Sequence, residues 1–187
     1  VIEYTKQILN KTPGYNIHGM DLTKEIQKNG KIQDVMDKKT LLLVQILKEP
    51  ISTKGPRLSC EITIPGRYLV LTPFSNAVTI SKKIVNPDER KRLQVLIESI
   101  KPQNFGIIAR TAAEGHKVAD LHDEITALEL KWQTIQDNID EAKGPRKVLS
   151  EADKTTSILR DFLTDDYHHI AVNDKEIYSN IKSFMSN

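Results

Sequence analysis

Seven apolar residues, Val118, Leu121, Ile125, Leu128, Trp132, Ile135 and Ile139, follow one another at spacings of 3, 4, 3, 4, 3 and 4. At 3.6 residues per turn they fall on a single stripe, so the chain must contain a helix of about six turns whose apolar side has to be covered. Gly144-Pro145 supplies its stop. The run just upstream, FGIIART (105–111), reads as a buried strand, and a strand that needs covering makes an intramolecular core the preferred reading of the stripe. Trp132 is then a core residue. A seam for a partner helix is the alternative.

Further strands lie ahead of this pair. LLLVQILKEP (41–50) is an apolar run stopped by Pro50, and RLSCEITI (57–64) alternates, with Leu58, Cys60, Ile62 and Ile64 on one face. RYLVLTPF (67–74) and VTIS (78–81) read as a third and a fourth strand, with Gly66 as a break where a bulge or a close backbone approach is expected. Asn86-Pro87-Asp88-Glu89 is a helix start, with Asn as cap, Pro at the first position and two acids at the positive end of the dipole. Leu93, Leu96, Ile97 and Ile100 give that helix its apolar face and Pro102 ends it. After the long helix, KVL (147–149) and HIAV (169–172) read as short strands. Helices are expected around Ile158–Leu163 and around Ile177, Ile181 and Phe184. Residues 1–40 carry the weakest pattern and are expected to be loosely attached. The order predicts an α+β chain: a small β unit followed by an α/β unit with a long amphipathic helix.

Bulk composition excludes several classes. A net charge of +2 with 28% charged residues is neither a basic tail nor an acidic solvating segment, although a local patch is enough for RNA. One cysteine, Cys60, rules out an internal disulfide framework and a cysteine-rich zinc site, and its alternating context predicts a small buried side chain. No run approaches the roughly 18 apolar residues of a membrane span and no signal peptide is visible, so a cytoplasmic location is the expectation. The first residue is Val1 rather than Met, as expected of a piece of a longer protein.

No GxGxxG, Walker-type loop, HExxH or GxSxG is present. His168 and His169 with Asp165 and Asp166 suggest a metal cluster on paper, but adjacent strand residues point to opposite faces, and a polar loop junction is the better reading. Lys82, Lys83, Arg90, Lys91 and Arg92 form the densest basic cluster, which reads first as a solvated face. Two places can grip phosphate. In TKGPR (53–57), Lys54 beside a glycine offers a point charge and free amides. At the end of FGIIART, Arg110 offers a planar fork and Thr111 a hydroxyl, just ahead of a turn and a helix start. Either is equally an ordinary polar strand end when taken alone.

VQILKEPISTKGPRLSCEITIPGRYLVLTPF followed by GIIARTAAEG and a long helix carrying Trp132 resembles the bacterial RNase E/RNase G endoribonucleases, and its RNase G-type members most. The resemblance covers roughly residues 40–185 and implies that 41–66 are the closing strands of an OB-type RNA-binding domain. It makes 67–150 a 5′-sensor domain and 151–187 the start of a ribonuclease-H-like subdomain. By position, the family's 5′-monophosphate contacts fall on Arg110 and Thr111, its domain-junction glycine on Gly66, its apolar residue near the terminal base on Val70, and its OB-domain lysine on Lys54. The implied partner is single-stranded RNA with a 5′-monophosphate, and the implied parent is a homo-oligomeric, magnesium-dependent endoribonuclease with a zinc link. Its catalytic aspartates and zinc-linking cysteines would lie beyond Asn187, so this stretch is expected not to cleave RNA by itself. RTAAEG departs from more glycine-rich members by placing Glu114 close to the phosphate contacts. A non-catalytic RNA-binding or adaptor module is the alternative.

Overall fold

The computed structural model describes Lys31, Gln33 and residues 41–140, 145–150, 154–163 and 166–185. The expectation for residues 1–40 therefore lies almost wholly outside the described residues. Two compact units divide the chain, Val1–Val148 and Leu149–Asn187.

In the first unit, β1 (Gln45–Lys48) and β2 (Arg57–Ser59) form an antiparallel two-stranded sheet. A second sheet has the order β3-β4-β6-β5, built from β3 (Ile64–Pro65), β4 (Leu69–Pro73), β5 (Val78–Ile80) and β6 (Phe105–Ala109). The strand expected over 57–64 is thus two strands in two sheets. Its chain leaves the ladder after Ser59 and re-enters at Ile64, and the two parts have opposite fates: Leu58 is 52% exposed while Ile62 and Ile64 are buried. Gln45 bridges the gap, its side-chain amide donating to the Thr63 carbonyl at 3.0 Å and accepting from Thr63 N–H at 2.8 Å. Cys60 is only partly buried, and desolvation still pushes its thiol pKa up.

Helix α1 (Pro87–Ile100) connects β5 to β6, the single parallel pair of this sheet, as a parallel crossover requires. Its start follows the sequence: the Asn86 side chain accepts from Asp88 N–H at 2.9 Å and from Glu89 N–H at 3.3 Å, with Pro87 leading the first turn. Lys101 closes the helix in an extended conformation, as the residue before Pro102 should. The long helix α2 (Val118–Asp140) packs on β4 and β3, and α1 packs on β5.

Both helices cover one face of the sheet. Leu69, Leu71, Ile107 and Ala109 from the strands are fully buried with Leu93 and Ile97 of α1 and Leu121 of α2. The predicted stripe is buried from Leu121 to Ile139, and Val118 at the helix start is exposed. Trp132 meets Phe74 and Phe105 edge-on, with ring centroids 5.5 and 6.4 Å away. Each such large apolar side chain contributes about 1.5–3 kcal/mol on burial. The opposite face is more open: Val70 is half-buried and Ile108, its cross-strand partner, is exposed.

The second unit is helical, with α3 (Lys154–Phe162) packed on α4 (Lys175–Met185) around Ile181. Asp174 caps α4 by accepting from Ile177 N–H at 2.9 Å. Neither 147–149 nor 169–172 forms a strand, contrary to the sequence reading. The Val148 carbonyl accepts from the Asn138 side chain at 2.8 Å instead of from a ladder, and His169 and Ile170 are exposed. Among the described residues no helix is long and apolar enough to cross a membrane.

Candidate functional site

Strand β6 ends at Ala109, and the next residue, Arg110, is still tied to β4 because its N–H donates to the Tyr68 carbonyl at 2.7 Å. Thr111 then opens a single 3-10 turn, Thr111–Ala113. The strand end seen in the sequence is therefore real, with Arg110 half-buried and Thr111 exposed. By the alternation of strand side chains Val70, Ile108 and Arg110 belong to the open face, away from the helices.

Two contacts fix the pair. The Arg110 guanidinium donates through Nη1 to the Gly66 carbonyl at 2.6 Å. Thr111 Oγ1 lies 3.1 Å from Ser81 Oγ at the end of β5. At this corner of the sheet Arg110 is thus tied to Gly66 in the β3–β4 turn and Thr111 separately to Ser81 after β5, and Val70 follows four residues after Gly66 on β4. Lys54 is not part of this corner. It sits in the β1–β2 loop, where its backbone pairs with Ile51 at 3.1 Å in both directions, and its side chain is exposed.

Gly66 has a reason other than the close ligand approach expected from the sequence. A Cβ there would stand 2.7 Å from the Glu124 carboxyl carbon. Glu124 reaches out from α2 and takes the amides of the turn that follows Gly66: Arg67 N–H at 2.5 Å, Tyr68 N–H at 2.9 Å and Leu69 N–H at 2.7 Å. These consecutive amides form a nest of the kind that holds anions, and here a carboxylate of the same chain fills it. The sequence does not single out Glu124, although its position is a signal. It lies three residues after Leu121 and four before Leu128, at the margin of the buried stripe.

The loop after Thr111 is held from α1. Glu89 accepts from Arg92 through both oxygens, at 2.6 and 2.7 Å, and from Gly115 N–H at 2.8 Å. The Arg92 hydrogen bonds, then the Gly115 amide, draw the Glu89 pKa down to about 2. Gly115 has φ +77°, a conformation that glycine adopts without the steric cost a side chain brings. His116 then stacks on Tyr68, ring centroids 4.1 Å apart, with Arg67 5.5 Å over the other partner's ring, that of Tyr68. Glu114, the acidic departure noted in the sequence, is exposed, where water screens its charge.

The basic cluster of the sequence separates into two kinds of residue. Arg90 is occupied by the Ser81 and Ile84 carbonyls at 2.7 and 3.0 Å, and Arg92 by Glu89. Lys82, Lys83 and Lys91 are exposed. Among the described residues no three His, Cys, Asp or Glu side chains gather in one place.

Residues 63–187 match the family model of the ribonuclease E/G family. Ribonuclease E of Nostoc sp. is 34% identical over 156 residues, which is 83% of this chain and 23% of that protein. A ribonuclease E/G-like protein of Porphyra purpurea is 37% identical over 141 residues, 75% of this chain and 28% of the relative. Ribonuclease G of Escherichia coli (strain K12) is 32% identical over 145 residues, 78% of this chain and 30% of the relative. The chain thus spans less than a third of the length of these curated relatives. With the family model matching most of it, the chain belongs to the ribonuclease E/G family.

Proposed function

We propose that this chain is the RNA-end-sensing part of an endoribonuclease, and that Arg110 and Thr111 recognise a 5′-monophosphate. The observation that carries the reading is the corner at which Arg110 is anchored to the Gly66 carbonyl while Thr111 follows at the mouth of a turn. A guanidinium next to a hydroxyl suits a terminal phosphate, and charge-assisted hydrogen bonds contribute about 1.5–3 kcal/mol each. Val70, on the open face two residues after the Tyr68 that pairs with Arg110, would offer an apolar surface to the terminal base, and the Gly66 carbonyl holds the arginine. A triphosphate end is bulkier than a site shaped for one terminal phosphate, so the site would favour decay intermediates over primary transcripts. Lys54 would contact the RNA backbone separately, from an OB-type element that includes 41–66.

In this reading residues 67–150 are the sensor and 151–187 begin a ribonuclease-H-like subdomain. The parent enzyme would be a cytoplasmic homo-oligomer that hydrolyses single-stranded RNA with magnesium, in RNA processing and decay, and with a zinc link between subunits. Those catalytic and zinc-binding groups would come from residues outside this stretch, and Arg110 and Thr111 would read the RNA end rather than cut it.

The test compares the affinity of the 187-residue chain for one short RNA with a 5′-phosphate or a 5′-hydroxyl end, by fluorescence anisotropy. The phosphorylated RNA should bind more tightly, and Arg110→Ala should remove roughly ten- to a hundredfold of that preference. Equal affinity for both ends in the unmutated chain overturns the sensor reading. A binding that ignores the end but weakens steeply with salt would instead favour the adaptor alternative, acting through Lys54 and the exposed lysines.

A further inference from the structure

We infer that Glu124 is a positioning residue for the phosphate contact: through the Gly66–Arg67 peptide, its carboxylate sets where the Arg110 guanidinium stands. One peptide unit is gripped from both sides. Its N–H, on Arg67, donates to Glu124, and its C=O, on Gly66, accepts from Arg110 Nη1 at 2.6 Å. In a trans peptide these two groups point in opposite directions, so the carboxylate behind the turn and the guanidinium in front of it fix the same plane. The Tyr68 and Leu69 amides, at 2.9 and 2.7 Å from the carboxylate, prevent that plane from rotating with the turn.

The charges reinforce the geometry. The sequence carboxylate, N–H, C=O, guanidinium is a polarised chain, each hydrogen bond strengthening the next where water is partly excluded. It directs the negative end of the peptide dipole at Arg110, and it places Glu124 across the turn from the arginine that it orients. Glycine at position 66 belongs to the same arrangement, since any side chain there meets the carboxylate at 2.7 Å. Tyr68, whose N–H also reaches Glu124, is the residue on which His116 stacks, so the loop that follows Thr111 leans on the same turn.

This inference rests on the reading of Arg110 and Thr111 as the 5′-phosphate contacts, and its test separates the two. Binding of 5′-phosphate and 5′-hydroxyl RNA is measured for the unmutated chain, for Glu124→Gln, for Arg110→Ala and for the double variant. A glutamine offers the nest one oxygen, no charge, and a donor that faces other donors. Glu124→Gln should lose roughly tenfold of the preference for the phosphate end while its affinity for 5′-hydroxyl RNA stays within about twofold. In the Arg110→Ala background the same substitution should change the preference by less than about twofold, because the residue it positions is gone.

A fall in affinity for both ends alike would mark Glu124 as merely structural and overturn the inference. So would a folded Glu124→Gln chain that keeps the full preference, while the sensor reading stood. If the unmutated chain shows no preference, the sensor reading falls first and takes this inference with it. Should Glu124→Gln fail to fold, Gly66→Ala is measured in its place, since its Cβ displaces the same carboxylate. An unchanged preference there overturns the inference.

Discussion

Two parts of the first unit start from similar sequence and end differently. The four-stranded sheet and the β1–β2 hairpin are both built from alternating or apolar runs. In the sheet, Leu69, Leu71 and Ile107 have no exposed surface, whereas in the hairpin Ile46 and Leu58 are 62% and 52% exposed. Alternation supplies an apolar face, but burial needs a second layer, and here that layer is α2 with its stripe and α1 beside it. Among the described residues the hairpin is held by its ladder and by the Gln45–Thr63 hydrogen bonds, and its Ile46 and Leu58 side chains stay exposed.

The sharpest way to break this comparison is Trp132→Ala. Trp132 sits where α2 meets Phe74 and Phe105, so urea unfolding should show a loss of about 3–5 kcal/mol. A loss below about 1 kcal/mol would mean that the stripe does not carry the sheet's stability.

Acid probes a smaller contribution. The folded pKa of Glu89 is depressed to about 2 from an ordinary 4.5. Its hydrogen bonds therefore contribute stability that is present above about 4.5 and is lost as pH falls towards 2. Arg92 is exposed and solvent screens the pair, so the loss should be no more than about 1 kcal/mol. Unfolding of the unmutated chain and of Glu89→Gln between pH 6 and pH 2.5 should converge at the acid end, roughly within that window. Curves that stay parallel throughout would exclude Glu89 as a source of acid sensitivity.

Ile46→Ser should do least, with stability changing by no more than about 0.5 kcal/mol, because the side chain is already in water. A loss several times larger would show that the hairpin face is covered in solution, and the contrast between the two sheets would vanish.

Legibility followed the range of the interactions. Asn86-Pro87 and the 118–139 stripe were readable because capping and helical periodicity are settled within a few residues. The break between β2 and β3 was not, since Leu58, Cys60, Ile62 and Ile64 alternate in the same way whether or not the chain changes sheets. The runs at 147–149 and 169–172 have strand composition but pair with no strand among the described residues, and pairing is decided by residues elsewhere. At the site, Arg110 and Thr111 were found at the strand end as expected. Glu124 is not legible there, because an acid at the margin of an apolar stripe looks like a solvated edge until the turn it reaches is known.

The Glu124 contacts span 55 to 57 residues of chain. Closing a loop of that length is slow and its entropy must be met by other contacts, so the turn at Gly66 acquires its final shape only when α2 docks on β4. From then on the turn and the helix open together, and the amides of Tyr68 and Leu69 exchange with solvent at the pace of helix α2 rather than of a surface loop.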